Sequence, residues 1–332
     1  MGVETRIEEK SVSEQKGITA LREILSKTDS VWITDLDDTI KESRRVLWAD
    51  GKERKLHPET TIALLAINKA GIKLGIATEQ TFAEILPFIT DLSELTLNSK
   101  NPYALFNGLI VGEGGSVLKS AQKDLVVIAP KRVLEDKKKI DNGIKQILIP
   151  SKVEGRFYLK GTNPEEGTLV RPPPDENAYQ ASSSIWEDGP HQSEDPSYVK
   201  RYGKNQQVVE GLIAELGIES LRAFEAGNGT LRITGKFINK RHTLSLLAVY
   251  GYLDLSKTIY SCDGPNDLGL ADKIKSKGGG VVAVSNAIAQ LHGLSDYSAT
   301  KVAGLGFAEA VSLIFPNEYI QAKKELQHLK LA

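Results

Sequence analysis

The chain has 332 residues, 40% hydrophobic and 26% charged, enough to bury one large core or two smaller ones in a water-soluble protein. Its 42 basic and 43 acidic residues leave a net charge of −1, which excludes nucleic-acid or membrane-surface recognition by bulk electrostatics and puts specificity in a local site. The only cysteine, Cys262, rules out an intrachain disulfide and a cysteine-based zinc site; with no apolar leader and no run of about 18 apolar residues, the expected location is cytoplasmic, with no membrane span.

Ile18, Leu21, Ile24 and Leu25 recur at helical spacing and predict a helix over residues 11–27, with Ser11 or Ser13 as its cap. The β-branched run after it ends on Asp35, Asp37, Asp38 and Thr39, so a strand is predicted to run straight into a carboxylate-bearing loop. Residues 58–70 read as a helix with Ile62, Leu65 and Ala66 inward, stopped by Gly71 before a short strand at 72–77, which makes a βαβ unit. A helix at 81–92 and two short strands within 104–118 continue the alternation. The glycines 112, 114 and 115 lack the Lys-Ser/Thr of a phosphate-cradling P-loop and read as turn makers.

Residues 119–227 have a different texture, with strand candidates at 125–129 and 146–150 and helices at 132–140 and 206–216. They are expected to form a small α+β domain inserted into a core made of residues 1–118 and 228–332. Inside it, residues 161–204 are rich in Pro, Ser, Asn, Asp and Glu, and Pro172-Pro173-Pro174 blocks regular structure, so an irregular insert is expected there. The alternation resumes with helix 242–253, strand 258–262, helix 268–275, strand 280–284 and a terminal helix from about residue 306. The predicted fold class is α/β, a doubly wound, Rossmann-like parallel sheet.

An isolated Asp35-Leu-Asp37-Asp38-Thr39 reads equally as a solvated acidic loop or a helix N-cap. A second run, Thr258-Ile-Tyr-Ser-Cys-Asp263-Gly-Pro-Asn266-Asp267, repeats its grammar: a short apolar strand ending in acids. Neighbouring parallel strands share one carboxyl edge, so Asp35, Asp37 and Asp263 are expected to meet in one crevice. Three carboxylates there make a hard-oxygen site for Mg²⁺, and a divalent cation so held attracts an anionic group, phosphate above all.

With these residues the chain resembles the haloacid dehalogenase superfamily, in particular its phosphatases. Asp35-Leu-Asp37-Asp38-Thr39 resembles the nucleophile motif D-x-D-x-T, Thr78 the threonine of the second motif, and Lys240 the lysine of the third. Asp263-Gly-Pro-Asn266-Asp267 resembles the fourth motif, and Val282-Ala-Val-Ser-Asn286-Ala287 a strand and loop beyond it. Around the third motif, Lys236, Arg241 and His242 compete with Lys240 for the role. The inserted block lies between the second and third motifs, where the Cof-like branch, which includes sugar-phosphate phosphatases, carries an α+β cap.

The resemblance implies Asp35 as nucleophile and Asp37 as general acid and base, with Thr78 and Lys240 holding phosphoryl oxygens. Asp38, Thr39 and Asn266 join them around the phosphate. Mg²⁺ would be held by Asp35, Asp263 and the Asp37 carbonyl, with Asp267 on a metal-bound water. The implied partner is a small phosphorylated metabolite, a sugar phosphate or phosphoglycerate derivative. A phosphomutase of the same fold and a catalytically silent metabolite-binding homologue are the alternatives. Two positions depart from the family pattern: Glu79-Gln80 stands where Gly-Arg usually follows Thr78, and Cys262 replaces a glycine. The lower positive charge implies either weaker binding of highly charged substrates or a compensating cation from the insert, such as Arg171, Lys200 or Arg201, and Trp186, His191 and Tyr198 are candidate substrate contacts.

Overall fold

The computed structural model describes residues 2–42, 45–48, 51–120, 123–127, 129–144, 146, 157–159, 183–187, 196–225 and 230–327. In chain order the elements are α1 (Gly2–Leu25), β1 (Val31–Thr34), the hairpin strands β2 (Val46–Leu47) and β3 (Glu53–Arg54), α2 (Pro58–Lys69), β4 (Lys73–Ala77), α3 (Phe82–Leu97), β5 (Leu109–Gly112), β6 (Val117–Ser120) and β7 (Lys123–Val127). Next come α4 (Lys131–Gly143), β8 (Phe157–Leu159), β9 (Ser183–Glu187), α5 (Pro196–Glu215), β10 (Leu221–Glu225) and β11 (Thr230–Gly235). The chain closes with α6 (Lys240–Val249), β12 (Thr258–Cys262), α7 (Leu268–Ser276), β13 (Gly280–Ala283), α8 (Ala289–Leu294), β14 (Tyr297–Ser298), α9 (Ala303–Ile314) and α10 (Pro316–Glu325).

Eight strands form one sheet in the order β14-β13-β12-β1-β4-β5-β6-β7. The strands from β14 to β5 pair in parallel, and β6 and β7 add an antiparallel edge. Both faces are covered, as a parallel sheet requires. In β1, consecutive side chains Trp32 and Ile33 are both fully buried on opposite faces. Trp32 joins the core built with α1, α2 and α9, edge-on to Phe307 with ring centroids 5.7 Å apart. Ile33 joins the core built with α6, α7 and α8 through Leu244, Leu270 and Leu291.

A second sheet, β10-β11-β9-β8, is antiparallel and has its own core. There Val133 and Ile140 of α4 and Val209, Leu212 and Ile213 of α5 pack on Leu221, Leu231 and Ile233. Strand pairing moves the crossovers between the sheets past the expected residues 118 and 228. β7 still hydrogen-bonds in the large sheet and β11 belongs to the small one, because hairpin pairing with β6 and β10 is available to each.

Regular structure also enters the expected irregular insert. β9 pairs on both sides through the strand-forming Ile185 and Trp186, and α5 begins at Pro196, a residue well suited to the first helical turn. The three consecutive prolines, 172–174, lie outside the described residues, as does the strand expected at 146–150 beyond residue 146. The terminal helix expected from residue 306 starts at Ala303, with α10 following, and α8 and β14 were too short to read from the sequence. Among the described residues no helix is long and apolar enough to cross a membrane.

Candidate active site

The chain leaves β1 in one direction through β4 and β5 and returns on the other side through β12 and β13, so the winding reverses beside β1. Crevices at such a reversal, outside the carboxyl ends of the strands, are where open α/β sheets bind ligands. Asp35 follows β1, Thr78 follows β4 and Asp263 follows β12, three adjacent parallel strands.

Lys240 reaches the same point from the first turn of α6. Asn239 caps that helix, its side chain accepting from the His242 amide at 2.8 Å. Thr243 then donates to the Gly115 carbonyl at 2.5 Å, docking the helix start on the turn after β5. Gly115 has φ +110°, and a Cβ there would lie 2.6 Å from the Asn239 backbone, so glycine is what lets turn and helix close up. Among the competing cations, Lys236, Arg241 and His242 are exposed, whereas Lys240 is 1% exposed.

The Lys240 ammonium donates to Asp35 Oδ1 at 2.7 Å and to Asp267 Oδ1 at 2.6 Å. Asp267 is fully buried and also accepts from the Tyr260 hydroxyl at 2.5 Å and the Gly264 amide at 3.1 Å, so its oxygens are committed to holding Lys240 and the turn. Asp263 accepts from Thr39 Oγ1 at 2.9 Å and from Asn286 Nδ2 at 3.4 Å. Asn286 also donates to the Asp38 carbonyl and accepts from the Ala303 amide, pinning the acidic loop to α9.

Carboxylate oxygens of Asp35, Asp263 and Asp267 lie within 4.8 Å of one another. Burial pushes the Asp35 carboxyl well above the usual range, with Asp267 and Asp263 adding to the rise and Lys240 opposing it. Burial followed by Asp267 pushes Asp263 up to about 7. For Lys240 burial favours the neutral amine, but Asp267 and Asp35 outweigh it and hold the ammonium charged. One buried cation thus serves two of three crowded acids. A hard divalent ion fits the remaining oxygen-only charge, and Asp35 and Asp263 are the carboxylates with capacity for it.

Asp37 is not in this group. Its exposed carboxylate turns to Gln80, whose Nε2 lies 2.7 Å from each of its oxygens. The loop after Asp35 curls, with amides of Ile40 and Lys41 both donating to the Leu36 carbonyl, and the Asp37 carboxylate stands outside the group of Asp35, Asp263 and Asp267. The acid that completes the trio is Asp267. Thr78 is 1% exposed and its hydroxyl accepts from the Gln80 amide at 3.2 Å. Asp38 is half-buried with φ +55°, a left-handed turn position that aspartate tolerates. Asn266 is exposed on the Gly264–Asp267 turn.

Of the cations expected from the insert, Arg171 lies outside the described residues, as does His191, while Lys200, Arg201 and Tyr198 lie along α5 and Trp186 lies on β9. Arg232 of β11, in the small sheet, is buried beside Glu79 and donates to its carbonyl at 2.7 Å. Lys41 is a further residue that the sequence reading missed. It is 8% exposed, with its ammonium 2.7 Å from Gln80 Oε1 and over the Phe88 ring at 4.4 Å. A lysine beside acids reads as a solvated charge, and only the tertiary fold reveals the ring beneath it.

No curated protein sequence matches the chain. Among solved structures, a haloacid dehalogenase-like hydrolase from Bacteroides thetaiotaomicron superposes with TM-score 0.57 at 18% identity, covering 86% of this chain and 99% of that one. A Thermotoga maritima protein gives 0.54 at 15% identity over 86% and 96%. A sugar phosphatase of HAD subclass IIB gives 0.50 at 16% identity over 90% and 99%. At such identities the likeness is one of fold. The family model of haloacid dehalogenase-like hydrolases matches residues 32–311, a span that starts within β1, ends within α9 and takes in every acid of the site. On that match the chain belongs to the haloacid dehalogenase-like hydrolases.

Proposed function

We propose that the protein is a Mg²⁺-dependent phosphomonoester hydrolase that acts on a small phosphorylated metabolite, a sugar phosphate or phosphoglycerate derivative, through an aspartyl-phosphate. The observation that carries this reading is Lys240, buried between Asp35 and Asp267 at the sheet's reversal point. A carboxylate is a poor nucleophile toward a phosphate dianion unless cations offset the repulsion, and here one is built into the core beside it.

Asp35 attacks phosphorus, and the ester P–O bond breaks as Asp37 gives its proton to the departing oxygen. Asp37 then takes a proton from the water that attacks the acyl phosphate, which releases inorganic phosphate and restores both acids. Lys240, held in place by Asp267 and, through it, by Tyr260, spreads the developing charge. Thr78, Asn266 and the loop at Asp38 and Thr39 line the phosphoryl pocket, and Thr39 orients Asp263. Mg²⁺ held by Asp35, Asp263 and the Asp37 carbonyl, with Asp267 behind it, would supply the electrophilic charge that keeps Asp35 ionised. The small sheet with α4 and α5 acts as the cap that selects the leaving group, and a cytoplasmic setting suits such a substrate.

The test is phosphate release from sugar monophosphates, phosphoglycerates and p-nitrophenyl phosphate, with Mg²⁺ or EDTA, beside Asp35→Asn. Mg²⁺-dependent release that the variant loses while keeping its circular dichroism supports the reading. Turnover retained by Asp35→Asn overturns it, and isomerised product without free phosphate identifies a mutase.

A further inference from the structure

We infer that Lys41 and Gln80 are positioning residues for Asp37, forming a relay that aims the general acid at the leaving-group oxygen. The inference rests on the phosphatase reading above. An exposed aspartate on a loop turns easily about its terminal torsion, so a general acid there needs an external restraint. Gln80 supplies one, with its Nε2 2.7 Å from both Asp37 oxygens.

An amide can face either way, and a flipped Gln80 would present its oxygen to a carboxylate. Lys41 removes that freedom. An ammonium only donates, so with Nζ at 2.7 Å the amide oxygen faces Lys41 and the NH₂ group is left for Asp37. Lys41 is fixed in turn: its ammonium sits over the Phe88 ring, and its amide donates to the Leu36 carbonyl at 2.8 Å in the loop that carries Asp37. The Gln80 backbone is anchored at both ends, its amide to Thr78 Oγ1 and its carbonyl to the Glu113 amide at 2.9 Å. Each member of the relay is thus held by a second contact, which is what precise placement of a catalytic group requires. The proton moved is Asp37's own: it passes to the ester oxygen as that oxygen takes the electron pair of the breaking P–O bond.

The test compares Gln80→Met and Lys41→Met with the parent on two esters, the fastest alkyl phosphate of the panel and p-nitrophenyl phosphate. Nitrophenolate leaves without a proton, whereas an alkoxide needs one. The readout is kcat/KM, which reports steps only through formation of the aspartyl-phosphate. Gln80→Met is expected to lower kcat/KM for the alkyl ester ~10- to 100-fold more than for the aryl ester, Lys41→Met to act in the same direction by less, and Lys41→Arg to stay within about threefold of the parent. An equal fall for both esters, a rise in KM at constant kcat, or no change overturns the relay while leaving the phosphatase reading intact. A parent chain inactive on every ester removes the reading, and the relay with it.

Discussion

Asp263→Asn is expected to stabilise the metal-free protein while abolishing its activity. Asp263 shares a 4.8 Å neighbourhood with the carboxylates of Asp35 and Asp267, and burial first, then Asp267, raises its pKa from 3.8 to about 7. The folded state therefore binds this proton more tightly than the unfolded chain. As pH rises from about 4 the unfolded state ionises first and stability falls, with the full penalty present above about 7. A rise from 3.8 to about 7, at about 1.36 kcal/mol per tenfold change in proton affinity, bounds the penalty at about 4 kcal/mol. Charge shared among the three acids and residual solvent access bring the expected value to about 2 kcal/mol. Asparagine keeps an oxygen for the Thr39 hydroxyl and carries no charge. Urea unfolding in EDTA should show the variant more stable than the parent at pH 8, with the difference shrinking through pH 6 and gone at pH 4. With saturating Mg²⁺ the order should reverse, because only the parent gains binding energy. A variant no more stable than the parent at pH 8, or a gain that grows on acidification, would refute the reasoning.

Lys240→Met leaves Asp35 and Asp267 buried without their cation; a loss of about 3–5 kcal/mol is expected, read as a lower urea midpoint at unchanged m, with turnover lost. Adding Asp267→Asn to that variant should restore part of the stability and none of the turnover. Gly115→Ala forces a methyl group against the Asn239 backbone at a left-handed φ, so about 1–3 kcal/mol and a fall in kcat are expected together, checked by thermal melting and phosphate release. Trp32→Ala empties a fully buried site and strands the Ser261 hydroxyl it bonds at 2.8 Å; the expected loss is about 3–5 kcal/mol in urea.

What was legible in the sequence depended on how local its cause is. β12 begins and ends where the apolar run 258–262 does, because the whole strand is buried and acids and a glycine-proline turn close it sharply. α7 and β13 match within a residue for similar reasons. Partner choice is another matter. Nothing within residues 117–127 says that this hairpin joins the large sheet, and nothing within residues 230–235 says that this strand joins the small one; both follow from which edges the rest of the chain leaves open. The site divides the same way. The order of acids along β1 and β12 points to a shared crevice, yet which three carboxylates crowd together depends on how the Asp35 loop curls, and Asp37 yields its place to Asp267. Lys240 is one basic residue among several in its segment until burial separates it from the others. Lys41 and Gln80 meet across the gap between two strands, a juxtaposition no spacing encodes.

The small sheet's two attachments to the large one lie side by side. A methyl group at Gly235, where β11 ends, would touch Val133 of the entering helix α4 at 3.2 Å, and the Thr234 hydroxyl of β11 lies 3.5 Å from that of Ser116 in the turn before β6. Among the described residues, the entry through α4 and the exit through β11 therefore lie beside each other, while the strand order of the large sheet closes without the small one. Such a junction makes the two halves separable in descent: an ancestor can exchange one insert for another and keep its chemistry, provided the return path still delivers its lysine. That path is short here, since Lys240 comes five residues after Gly235. On the proposed function, a graft that keeps residues 235–240 native should retain turnover, and one that cuts into them should lose it even where the new cap folds.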